Sequence, residues 1–141
     1  MTDNSQKKLT LRSVGAVFAG IMANFVIAIP IDLLLHAAGI FPAMSERLTD
    51  SLCALAFSYR IIAAIVGGYL AARFAPSSPM KHALILGLIG VLLSSTGAAA
   101  MWDQGPHWYP LALIAISIPC SVTGGHGYVS RLSLRNENTS A

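Results

Sequence analysis

Four apolar runs, each long enough as a helix to cross the hydrocarbon core of a lipid bilayer, fill most of this chain. They predict membrane spans over residues 13–35, 52–74, 82–101 and 110–129. Residues 1–12 and 130–141 are polar and read as tails, the first disordered or lying on the membrane surface. The longest connection, His36 to Ser51, contains Met44-Ser45-Glu46-Arg47-Leu48-Thr49-Asp50, with Ser45 placed to cap a short interfacial helix. Ala75-Pro76-Ser77-Ser78-Pro79-Met80-Lys81 is a proline-punctuated turn between spans two and three. Between spans three and four, the aromatics of Trp102 to Tyr109 are spaced as an interfacial belt, and Pro110 suits a first helical turn.

Positive charge is distributed unevenly around these runs. Lys7, Lys8, Arg12, Arg73, Lys81, Arg131 and Arg135 fall on one side, whereas Arg47 alone falls on the other with Glu46, Asp50 and Asp103. The bias toward the cytoplasmic side predicts both termini inside. The expected architecture is all-α: a single integral membrane four-helix bundle, antiparallel, with N-in and C-in topology. Composition agrees, since 55% of the 141 residues are hydrophobic and only 11% charged, against roughly a quarter charged in soluble domains. The net charge of +3 sits at helix ends facing lipid headgroups, so membrane lipids rather than nucleic acid are the expected partners.

An export signal is a poor reading of the first run, because it exceeds the roughly 7 to 15 residues of a signal core and further spans follow. Cys53 and Cys120 read as small buried hydrophobes at depths about 15 Å apart, too far for a disulfide.

Small residues at four-residue spacing mark the faces where helices approach closely in lipid: Ala16, Gly20, Asn24 and Ala28 in span one, Ala64, Gly68 and Ala72 in span two, Gly90 and Ser94 in span three. The neighbour can be the same chain, a second copy or another membrane subunit. Gly67-Gly68-Tyr69-Leu70-Ala71-Ala72-Arg73 and Gly125-His126-Gly127-Tyr128-Val129-Ser130-Arg131 echo each other. That echo fits any inward-running helix end as well as it fits a duplicated hairpin. In span four, Pro119 with Gly124 and Gly125 predicts a helix break, read either as a gate or as a kink re-satisfied by Ser121 or Thr123 with the glycines serving packing.

Arg60 is the residue hardest to explain as packing. A guanidinium at its depth, about 12 Å from the nearer end of its span, costs at least about 2.5 kcal/mol unless it is paired or hydrated. Asp32, just beyond Pro30 in the neighbouring antiparallel span, is the expected partner, and His36 and Tyr59 are candidates to extend the network. The pair reads either as a clasp between spans one and two or as part of a solute or proton path. Asp32, His36, Asp103 and His107 match no compact metal-ligand spacing, and no nucleophile or phosphate-cradling motif is present, so neither a cofactor nor an enzyme is expected.

Tyr59-Arg60, Gly67-Gly68-Tyr69-Leu70-Ala71-Ala72-Arg73-Phe74-Ala75-Pro76, Pro79-Met80-Lys81-His82-Ala83-Leu84 and Gly105-Pro106-His107-Trp108-Tyr109-Pro110 together resemble a family of small, uncharacterised bacterial four-span membrane proteins. The resemblance covers roughly Tyr59 to Gly125 and implies a bacterial inner-membrane location. The family has no assigned activity, so the resemblance carries over no catalytic or binding residue and identifies no small-molecule ligand.

Overall fold

A computed structural model describes residues 2–42 and 46–140. Its main elements are four helices, α1 (Thr2–Ala37), α2 (Asp50–Phe74), α3 (Pro79–Ala100) and α4 (Trp108–Ser140), with one 3-10 turn at Trp102–Gln104. All four are long and apolar enough to cross a membrane. Consecutive helices run antiparallel. The α1–α2 and α3–α4 connections therefore share one end of the bundle, called here the loop end, and the α2–α3 turn and both termini share the other, the termini end.

All four helices depart from the expected spans at one or both ends, α1 and α4 by the most. Residues 2–12 and 130–140 continue α1 and α4 rather than forming tails. Lys, Gln, Leu and Arg are good helix formers, and no Pro or Gly stands at either junction to stop a helix already nucleated by its span. At its other end α1 overruns residue 35 and stops in a Schellman motif. Gly39 takes a left-handed φ of 69°, its N–H donates to the His36 carbonyl at 3.0 Å, and Ile40 N–H donates to the Leu35 carbonyl at 3.0 Å. Ser45, the expected cap, lies outside the described residues.

Packing is inverted relative to a water-soluble bundle. Between the helices sit mainly small residues, among them Ala16, Cys53, Ala56, Ala63, Ala71, Ala72 and Ala83, whereas Leu11, Val14, Val26, Leu33, Leu34 and Leu92 face outward. A soluble fold would bury the large residues and leave the alanines to the surface. The bundle is organised on α2, which contacts each of the other three helices, while α1 and α4 barely meet. Adjacent glycines on α2 serve its two flanks: Gly67 faces Gly20 of α1, and Gly68 faces the backbone of Ser121 in α4.

Pro119 and the glycines after it do not break α4, which stays helical throughout. Gly124 lies against the Ile65 carbonyl and Gly125 against Ala83, so these glycines permit close approach to α2 and α3. Thr123 Oγ1 donates to the Pro119 carbonyl at 2.7 Å, which is the carbonyl one turn before Thr123 and not the Ala115 carbonyl that the proline frees. Ser121, the other candidate for re-satisfying the backbone, is buried with its hydroxyl unpaired among the described residues. The glycines therefore serve packing, as one of the two readings had it, but without the expected break in the helix.

Candidate functional site

Near the loop end, α1 and α2 face each other across their polar residues. Asp32 lies little more than one turn before α1 ends, and Tyr59 and Arg60 are consecutive on α2. Neighbouring residues on a helix project about 100° apart, so two of them converge on one group only when it lies over the groove between them. The Asp32 carboxylate does so. Arg60 Nη2 donates to Asp32 Oδ2 at 2.8 Å, and the Tyr59 hydroxyl donates to Asp32 Oδ1. The opposite formal charges meet directly, and each carboxylate oxygen has its own donor.

An apolar surround holds this junction in place. Phe41, carried back by the turn at Gly39, packs with Ala56 and Tyr59, and Ile31, Leu35, Leu52 and Tyr109 lie against that cluster. The guanidinium carbon of Arg60 is 6.0 Å from the centre of the Tyr59 ring, at the outer range of a cation–π contact. One polar atom is left over, because Arg60 Nε is buried and without a partner among the described residues.

His36 joins the network only through the backbone. Its Nδ1 lies 2.8 Å from the Asp32 carbonyl oxygen, which can only accept, so the ring proton sits on Nδ1. Its ring also meets Phe41 edge-on, with centroids 5.3 Å apart. The carboxylate is left to Tyr59 and Arg60. Tyr109, read from sequence only as part of an aromatic belt, lies beside Arg60 at the start of α4. Its position at the head of span four, level with Asp32, was the available signal.

The two connections at this end are tied together above the junction. Leu48 N–H donates to the Gln104 carbonyl at 3.0 Å, Arg47 Nε to the Asp103 carbonyl at 3.0 Å, and Trp108 Nε1 to Asp50 Oδ1 at 2.6 Å. His107 stacks on Trp102 instead of turning toward Asp32. Among the described residues no group of three or more His, Cys, Asp or Glu side chains is placed to hold a metal ion. Cys53 and Cys120 are both free thiols.

Chemically, the junction neutralises a cation and an anion between two apolar helices and aligns them at one height. No family model, curated protein or solved structure matches the chain. Geometry alone therefore carries the functional reading.

Proposed function

We propose that the chain is a multi-pass protein of a bacterial inner membrane with both termini cytoplasmic, acting as a non-enzymatic structural or accessory component. In this reading lipid covers the outward-facing leucines and valines, and seven basic residues at the termini end against Arg47 at the loop end set the orientation. A second copy or another membrane subunit is the partner class. Asp32 and Arg60 form a clasp that fixes the register of α1 against α2. The observation that carries it is the engagement of both Asp32 oxygens by adjacent side chains of one neighbouring helix.

A second reading makes the chain a small solute or proton transporter or channel subunit with its path at the same pair. It draws on the unpartnered Arg60 Nε and on side-chain exposures of 37% for Arg60 and 27% for Asp32, which leave room for water beside the charges. Proteoliposomes separate the two. The clasp predicts no solute or proton leak above empty vesicles, and an Arg60→Ala variant that unfolds but is rescued by adding Asp32→Ala. Leak that Arg60→Ala abolishes while the bundle stays folded overturns it.

A further inference from the structure

The two echoing segments meet in space. At the termini end, Tyr69 of α2 and Tyr128 of α4 contact edge to face, with ring centroids 5.6 Å apart. Above them opens a pocket of about 330 Å³ lined by Tyr69, Arg73, Tyr128, Arg131, Leu132 and Arg135. Helical spacing builds it: Tyr69 and Arg73 are one turn apart on α2, and Tyr128, Arg131, Leu132 and Arg135 follow an i, i+3, i+4, i+7 stripe on α4. Because α2 and α4 run the same way, both present a tyrosine first and an arginine one turn later.

Three guanidiniums thus border one cavity whose lining includes no carboxylate. Among the described residues no acid lies within ion-pair distance of any of the three, and Glu137, the nearest acid in sequence, does not line the pocket. All three arginines are exposed, so water screens their mutual repulsion, and an anion that enters the pocket meets positive charge from both helices. Arginine's planar fork suits phosphate oxygens, and the two tyrosines that line the pocket carry hydroxyl donors. Leu132 and the tyrosine rings give the same pocket an apolar wall. A ligand with a phosphate at one end and hydrocarbon at the other fits both surfaces.

We propose that this pocket binds a phosphate-bearing anion, supplied by the headgroup of an anionic phospholipid. The phosphate chemistry follows from the pocket itself. Only its lipid source rests on the membrane reading.

Native mass spectrometry of the full-length protein in neutral detergent tests it, with phosphatidylglycerol, phosphatidylcholine and inorganic phosphate as separate probes. Phosphatidylglycerol adducts should be retained in preference to phosphatidylcholine. Arg73→Gln and Arg135→Gln should each weaken retention by about fivefold, the worth of one basic residue near an anionic surface. A Lys8→Gln, Arg12→Gln double variant removes charge at the same end but outside the pocket and should leave retention unchanged. Circular dichroism and gel filtration verify that each variant is folded.

Arginine-dependent binding of inorganic phosphate without phosphatidylglycerol enrichment keeps the phosphate site and transfers it to a soluble ligand, removing the lipid half of the proposal. Equal weakening by the control and the pocket variants, or no binding of either anion, overturns the site altogether. Proteoliposome leak, which would refute the clasp, does not bear on this result.

Discussion

Gly20 of α1 and Gly67 of α2 are in mutual backbone contact: a methyl group added to either would lie 2.8 Å from the other's carbonyl oxygen. Lipid tails are as apolar as the side chains they would replace, so helices in a membrane hold together through such close approach. Substitution at this contact pushes the two backbones apart, and neighbouring side chains cannot absorb the strain. The same holds on the other flank, where Gly68 and Gly124 each abut backbone of the opposing helix. Gly15, Gly97 and Gly127 have open space around them. Gly20→Ala, Gly67→Ala, Gly68→Ala and Gly124→Ala should each lower stability by about 1 to 3 kcal/mol, the usual cost of overpacking. Gly15→Ala and Gly97→Ala should be neutral or slightly stabilising through helix propensity. Denaturant unfolding in detergent, followed by circular dichroism, ranks the two groups, and equal effects in both would contradict the packing.

The donors on Asp32 are unequal in kind, which sets an order of effects. Tyr59→Phe removes a neutral donor to a charged oxygen and should cost about 1.5 to 3 kcal/mol. Arg60→Gln removes the countercharge and should cost at least as much, because Asp32 is left with one donor and no cation. Adding Asp32→Asn to Arg60→Gln should recover part of that loss, giving a coupling energy of about 1 kcal/mol or more in a double-mutant cycle. His36→Ala, which leaves both carboxylate contacts in place, should cost less than either. Additive losses for Asp32 and Arg60 would show that the ion pair does not couple α1 to α2.

The spans and the pairing partner of Arg60 were legible because both follow from strong local signals: long apolar runs, and one acid at matching height in an adjacent helix. Helix ends were less legible. Hydropathy locates where Arg12 and Ser130 leave the apolar stretch, but it says nothing about whether the backbone goes on winding, and it does so at both ends. Tyr109 and Phe41 were missed as parts of the junction because each is placed by the course of a connection, Phe41 by the local Schellman turn at Gly39 and Tyr109 by a turn tied at Gln104 to the distant Leu48. The sites of glycine contact were visible as spacings, but the choice of partner helix was not.

Pro119 provides a test of whether α4 needs a discontinuity. It faces outward from the bundle, within an unbroken helix, so its ring fills no interhelical space. Pro119→Ala restores a backbone donor to the preceding turn and relieves the clash that proline imposes there. Stability should rise or stay within about 1 kcal/mol, partly offset because membrane helices already re-satisfy the freed carbonyl. A large loss, or loss of helix content by circular dichroism, would mean that a bend at Pro119 is needed to seat α4 on α2.

Ser121 makes the opposite use of the same helix. Its side chain is 2% exposed and its hydroxyl finds no partner among the described residues, while its backbone carbonyl lies against Gly68. A buried hydroxyl without a partner carries its desolvation cost uncompensated, so deleting it removes a penalty and opens only a very small space. The backbone contact with Gly68 survives, because it involves no side-chain atom. Ser121→Ala should therefore be neutral or stabilising by up to about 1 kcal/mol, whereas Ser121→Val, which keeps no hydroxyl and adds bulk toward Gly87, should be destabilising by about 1 to 3 kcal/mol. The pair of variants read together in one unfolding assay separates polarity from volume. A loss with alanine as large as with valine would show that the hydroxyl is hydrogen-bonded in the membrane.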